Sequence, residues 1–305
     1  MPSPWAVPSP SPGHPSPQYP TNLQWRPYPP STEGPWPFVI ILHIGGWWSG
    51  DWTGDGNMVQ AANDLAAAGF YAVIPNYTLA PRNVIDGQPA HSGNDASGRP
   101  PWQTDDVKAL VNAARNSTLC NGVGGVLGGS AGGTHAAFVA FDSTDTVGEW
   151  PHWNSDARPD FVVCLSGAYD LSDRVDTTSS PKDEFIKNVE NYTNTTVPAD
   201  QWGISPVAIV PTSGTYRPIY FLHTDDDPMP VIQQWDMFNA LYYAGYPTNM
   251  YRMWTIPDGG MAKHAFGYWE DPIYDTVGTF DPDYLVRDRV INYFQYFLQQ
   301  ANTTF

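Results

Sequence analysis

A chain of 305 residues with 31 acidic against 14 basic side chains, a formal charge of −17, is long enough to bury a full core within one large domain. Its charge repels other polyanions, which excludes nucleic acid and anionic membrane surfaces as partners. No apolar run approaches the roughly 20 residues of a membrane-spanning helix.

Residues 1–37 hold 13 prolines, which deny helix and central strand alike. They read as an extended proline-rich arm ahead of a domain at 38–305. The opening Met1-Pro2-Ser3-Pro4 lacks the basic and apolar regions of a signal peptide, which predicts a cytoplasmic protein. Five Asn-x-Ser/Thr sequons, at Asn76, Asn116, Asn191, Asn194 and Asn302, pull the other way; without an entry signal they read as coincidence.

Phe38-Val39-Ile40-Ile41-Leu42 is a short continuous apolar run of the kind buried on both faces of a parallel sheet. It leads straight into His43-Ile44-Gly45-Gly46-Trp47. Glycines just past a strand let backbone N–H groups turn towards a neighbouring site, so Gly45 and Gly46 are candidate oxyanion donors. Trp47, Trp48 and Trp52 cluster beside them, and with Ile44 and His43 they are candidates for the substrate wall. His43 is better placed to buttress this loop than to act as a base. Trp102, Trp153, Trp202 and Trp269 fall near other loops that could border the site.

The apolar, glycine-rich run 124–127 meets Gly128-Gly129-Ser130-Ala131-Gly132, and a helix-like stretch follows at 134–141. Gly-x-Ser-x-Gly alone is a weak signal in a chain with 27 glycines. Between a strand and a helix it puts the serine on a sharp turn with its hydroxyl exposed. Ser130 is therefore the expected nucleophile, and the Ala131 N–H the expected third oxyanion donor. Cys120 precedes this strand and Cys164 falls late in the next one, at a different height, so both read as buried thiols.

Two stretches are candidate cover for a pocket: 142–160, with Trp150 and Trp153, and the long polar insertion 171–214, helix-like around 183–192. Residues 218–222 read as a buried strand that ends in His223-Thr224-Asp225-Asp226-Asp227-Pro228, followed by a helix at 231–243. Residues 250–256 read as the last strand, and the loop after them carries one histidine, His264. Asp and His at successive strand ends supply the base and the orienting acid that a serine nucleophile needs. The order Ser, Asp, His is that of α/β-hydrolases. The last stretch, 283–300, spaces Leu285, Val286, Val290, Ile291, Phe294 and Phe297 as a packing helix does.

Over residues 37–300 the chain resembles the α/β-hydrolase esterases, in particular the single-domain carboxylesterases and acetyl esterases related to hormone-sensitive lipase. His43-Ile44-Gly45-Gly46-Trp47 resembles HGGGW, Asn76-Tyr77-Thr78-Leu79-Ala80-Pro81 resembles NYRLAP, and Gly129-Ser130-Ala131-Gly132-Gly133 resembles GxSAGG. Asp106 resembles the family's acid at the opening of the next helix, Leu165-Ser166-Gly167-Ala168-Tyr169-Asp170 its following strand end, Asp227-Pro228 its DP pair and His264-Ala265-Phe266 its HxF. Ile44 replaces the first glycine of HGGG and reshapes the pocket; Thr78 replaces the usual arginine and puts its salt bridge in doubt. No helical N-terminal cap is present, so cover should come from loops.

The resemblance implies an α/β-hydrolase fold with a mostly parallel sheet between two helical layers. It implies a serine esterase for small or medium-sized esters, with Ser130, Asp227 and His264 as triad and Gly45, Gly46 and Ala131 as oxyanion hole. Asp225 and Asp226 compete with Asp227, and the Asp-Pro match favours the last. No cofactor and no metal are required: His135, His152 and His223 read as structural, since no HExxH or Cys-pair spacing supports a metal site. An amidase of the kynurenine formamidase kind and a non-catalytic binding member of the fold are the alternatives.

Overall fold

The computed structural model describes residues 24–90, 98–142, 158–173, 182–257, 261–274 and 280–303. Most of the proline-rich arm, the candidate cover at 143–157 with Trp150, His152 and Trp153, and part of the insertion at 174–181 lie outside the described residues. Among the described residues no helix is long and apolar enough to cross a membrane.

Strands and helices alternate along most of the chain. β1 (Trp25–Tyr28), β2 (Trp36–Leu42), α1 (Gly56–Ala67), β3 (Tyr71–Pro75) and α2 (Trp102–Arg115) come first. β4 (Cys120–Gly129), α3 (Ala131–Phe141) and β5 (Phe161–Leu165) follow, then α4 (Lys182–Thr193) and α5 (Pro198–Gly203) in the insertion. β6 (Ile219–Thr224), α6 (Ile232–Ala244), β7 (Tyr251–Ile256), a hairpin of β8 (Pro272–Tyr274) and β9 (Phe280–Leu285), and α7 (Val286–Thr303) complete the described chain. The main sheet has the order β1-β3-β2-β4-β5-β6-β7. Only β1 is antiparallel; the other pairings are parallel.

The continuous apolar run at 38–42 is buried throughout because both faces of β2 are covered. Phe38, Ile40 and Leu42 point to one face, where Val107, Leu110 and Val111 of α2, Ala136 and Val139 of α3, and Met237 and Leu241 of α6 pack. Val39 and Ile41 point to the other, against Met58, Ala61 and Leu65 of α1 and Val286, Val290 and Phe294 of α7. This alternation is the period-2 geometry of a strand read against two helical layers. The fold is thus the expected α/β-hydrolase architecture. Cys120 and Cys164 are both buried free thiols, and burial pushes the Cys120 thiol up to about 12.

Three boundaries differ from the sequence reading. β1 lies inside the proline-rich stretch and pairs with β3, Arg26 opposite Ile74 and Pro27 opposite Val73. An edge strand tolerates a proline, whose missing N–H costs no ladder bond on the open side, so the sheet begins before residue 38. The final helix starts at Val286 rather than 283, because Leu285 still pairs with Pro272 in the hairpin. Asp106, expected to open its helix, sits in the second turn of α2, which starts at Trp102 just after Pro101.

Candidate active site

Ser130 sits between the last residue of β4 and the first of α3 at φ 53°, ψ −120°. A positive φ is uncommon for a residue with a side chain, and the turn is held by its surroundings. Ser130 N donates to Leu165 O on the neighbouring strand at 2.8 Å. A Cβ on Gly128 would stand 2.1 Å from Gly132 O, so only glycine lets α3 fold back this tightly on the strand. The serine hydroxyl is thereby lifted off the sheet at the start of a helix. Ala131 opens α3, so its N–H is among those with no partner inside the helix.

The loop after β2 is wound through Gly45 (φ 132°), Gly46 (φ 56°) and Trp47 (φ 68°). Gly45 O turns back into the loop and accepts from Ser49 N (3.0 Å), Trp48 N (3.2 Å) and Ser49 Oγ (2.9 Å). Across the planar trans peptide, the Gly46 N–H must then point away from that turn. The loop is braced from below: Tyr77 Oη donates to His43 O at 2.9 Å, and Gln103 Nε2 donates to Trp47 O at 2.7 Å. Gln103 is fixed in turn by His135, whose Nε2 donates to Gln103 Oε1 at 2.7 Å.

His43 does not reach the pocket wall as a substrate contact. It is 2 % exposed, stacks on Tyr77 with ring centroids 4.1 Å apart and donates from Nδ1 to Ile44 O at 2.8 Å. Burial lowers its pKa to about 4, so it is a neutral buttress at ordinary pH.

His264 follows β7, at the entry to a short 3-10 turn, Ala265–Tyr268. Phe266 anchors it against the nucleophile turn: a Cβ on Gly129 would meet the Phe266 ring at 2.7 Å. Thr224 Oγ1 donates to Lys263 O at 2.7 Å, which ties the loop to the end of β6. His264 Nδ1 donates to Asp227 Oδ1 at 2.5 Å, leaving Nε2 as the nitrogen on the other side of the ring. Of the three consecutive aspartates, Asp227 is the buried one, while Asp225 is exposed and Asp226 half-buried. Asp227 also accepts from Met229 N at 2.7 Å and from Ser166 Oγ. His223 Nε2 donates to Met229 O at 2.8 Å, so that histidine braces the loop that carries Asp227.

Ser130 and His264 face one cavity of about 280 Å³. Ile44, Gly45, Gly46, Trp47 and Trp48 form the side made by the glycine loop after β2, and Pro228 and Met229 lie beside Asp227 after β6. The third wall is α4, through Glu184, Phe185 and Asn188. Trp48 Nε1 donates to Asn188 Oδ1 at 2.8 Å, Arg82 lies over the Trp48 ring at 4.6 Å, and Trp47 stacks on Tyr192 at 4.9 Å. The described part of the insertion therefore packs on the glycine loop after β2. Trp269 does not border this cavity: it is buried against the opposite helical layer, with its Nε1 donating to Asp64 Oδ2 at 2.8 Å. Trp202 stands half-exposed on α5.

Sequence reasoning passed over Ser166, Tyr268, Gln103 and Asn188. Only Ser166 left a trace, as a small polar residue at the carboxyl end of a central strand, where ligand sites of open parallel sheets gather. Among the described residues no three His, Cys, Asp or Glu side chains converge as metal ligands. Asn191 and Asn194 are buried, and their side-chain oxygens accept from Val84 N (3.1 Å) and Asn83 Nδ2 (3.0 Å).

A serine at a strand-to-helix turn, a glycine loop beside it and an Asp–His pair at the next strand ends, on a seven-stranded sheet, define an α/β-hydrolase with the architecture of the esterases. More narrowly, the chain belongs to the BD-FAE family, whose model matches residues 27–241. His264 lies past that stretch. Among solved structures the fold is similar to esterase B from Lactobacillus rhamnosis, at 16% identity over 92% of this chain and 88% of that one with a TM-score of 0.66. It is also similar to an acetyl ester-xyloside bifunctional hydrolase from Caldicellulosiruptor lactoaceticus (22%, 81% and 83%, 0.60). The hyperthermophilic esterase from the archaeon Pyrobaculum calidifontis is a further match (20%, 78% and 71%, 0.56). At these identities the likeness is one of fold. No curated protein matches the sequence.

Proposed function

We propose that the protein is a carboxylic ester hydrolase that works through a Ser130-His264-Asp227 triad and an acyl-enzyme. The observation that carries this reading is the 2.5 Å His264–Asp227 hydrogen bond beside a cavity that His264 shares with Ser130. His264 Nε2 removes the hydroxyl proton as Ser130 Oγ attacks the ester carbonyl carbon, and Asp227 holds the imidazole in the useful tautomer and stabilises its charged form. The carbonyl oxygen, now an oxyanion, takes N–H groups of Gly45, Gly46 and Ala131, worth about 3 kcal/mol per donor in comparable sites. Collapse expels the alcohol, which takes the proton back from His264. Water then attacks the acyl-enzyme by the same route, freeing the acid and Ser130.

A cavity of about 280 Å³ suits a small or medium-sized ester. The chain from β1 onward acts as the hydrolase domain, and the insertion 171–214 supplies the lid through α4. Hydrolysis of p-nitrophenyl esters from acetate to decanoate, measured beside an N-formyl aryl amide, tests the reading. Turnover highest on the shorter esters supports it; faster turnover of the amide would make the protein an amidase, and none of either by folded protein would make it a binding member of the fold.

A further inference from the structure

Ser166 follows the last residue of β5, at φ 52°, and is fully buried. Glycine would relax that backbone, so what a serine adds there is its hydroxyl. Three groups surround it. Ser166 Oγ donates to Asp227 Oδ2, accepts from Ala265 N at 3.0 Å and lies 2.9 Å from Tyr268 Oη, itself 3.0 Å from Leu222 O. A carboxylate accepts only, and a hydroxyl has one proton and two lone pairs. The proton goes to Asp227 and one lone pair takes the Ala265 N–H; the single Tyr268 proton is shared between the other lone pair and Leu222 O. Ala265 is the residue after His264. The same hydroxyl thus grips the acid on one side and the backbone of the base on the other.

We propose that Ser166 is the positioning residue that holds Asp227 and His264 in register, tying the acid's second oxygen to the peptide that follows the base. This rests on the triad reading above. Asp227 Oδ1 already carries the His264 and Met229 donors. Without Ser166 its Oδ2 loses this donor, the carboxylate is free to turn about its last torsion, and the His264 loop loses an anchor at its own backbone. Tyr268, whose hydroxyl burial keeps protonated, remains as a donor to Leu222.

The test compares wild type with Ser166→Ala and Ser166→Cys for kcat, KM and the pH profile on p-nitrophenyl acetate, with fluorophosphonate labelling of each. Ser166→Ala should still take one adduct on Ser130, with kcat lowered about 10- to 100-fold, the usual cost of losing an orienting partner behind a site ligand. KM should stay within about twofold, since ground-state binding is untouched. The acid limb of the kcat/KM profile should move up in pH, because a carboxylate with one donor fewer holds the imidazolium more tightly. Ser166→Cys, with a weaker donor, should fall between. A purely structural role would lower the folded fraction and leave that limb where it was. Wild-type kcat with an unmoved limb in folded Ser166→Ala, or in Ser166→Cys if the alanine variant does not fold, overturns the assignment. Wild type that takes no adduct on Ser130 overturns the triad reading, and this one with it.

Discussion

Gly132→Ala sets two effects of opposite sign against each other. Inside a helix, replacing glycine by alanine is favoured by about 0.5–1 kcal/mol on backbone entropy, and Gly132 lies in the first turn of α3. The added Cβ, however, would stand 2.6 Å from Leu42 O and 2.8 Å from His43 O, where ordinary contact begins at 3.4 Å. The end of β2 and the start of α3 must separate by about 0.8 Å (3.4 − 2.6), and both sides of the contact are backbone. Overpacking of this kind costs about 1–3 kcal/mol, which exceeds the helix gain. The separation also opens the gap between Ser130, two residues before Gly132, and the glycine loop that β2 feeds, the proposed oxyanion hole. A misplacement approaching 1 Å costs about 100-fold in rate. Measured on p-nitrophenyl acetate, kcat should fall by about that factor, with Tm lower by roughly 1–4 °C once the helix gain is subtracted. Gly203→Ala, where a Cβ meets nothing within 4 Å, should leave kcat unchanged and Tm equal or higher. Wild-type kcat and an undiminished Tm in Gly132→Ala would refute the reasoning.

Asp227→Asn should lower kcat by about 10⁴-fold, as loss of the orienting acid does elsewhere, while Asp225→Asn and Asp226→Asn stay near wild type; steady-state rates on one ester decide it. Asp106 is buried and accepts from Thr78 N at 2.7 Å; desolvation raises its pKa to about 7, against the opposing pull of those hydrogen bonds. A carboxyl that binds its proton more tightly when folded stabilises the protein below about pH 4 and loses that contribution as pH rises to about 7. Asp106→Asn, which keeps the acceptor and removes the charge, should match wild type near pH 4 and exceed it by on the order of 2–4 kcal/mol at pH 8. Urea unfolding across that range checks the sign. Asp236, pushed likewise to about 7 by burial and by Asp173 and Asp170, keeps part of the slope in the variant.

The parts legible in the sequence were those where local pattern and fold coincide. Phe38 to Leu42 read as a doubly buried strand because every residue in it is apolar, and Ser130 read as a turn residue because a strand and a helix meet on small residues. His264 stood out as the one histidine in the loop past β7, which the sequence reads as the last strand although the hairpin of β8 and β9 follows it. Among Asp225, Asp226 and Asp227 only the Asp-Pro resemblance favoured the last, because three identical side chains differ physically only in which one the turn buries against His264. The contact of Ser166 with Tyr268 was not legible, since it spans 102 residues and leaves no local periodicity; Ser166 itself left only its place at a strand end. Trp269 read as a site tryptophan by proximity in the chain, yet Asp64 draws it to the far side of the sheet. β1 was hidden by prolines that an edge strand accommodates. The insertion 171–214 read as cover from its length and polarity, but that Asn188 on α4 reaches Trp48 depends on a contact between segments 140 residues apart.

Intact mass spectrometry after incubation with a fluorophosphonate, on wild type and Ser130→Ala, tests the central claim most directly. An activated serine should give one adduct on wild type, mapped to Ser130, and none on the variant. An unlabelled, well-folded wild type, or a variant labelled like wild type, would contradict the account.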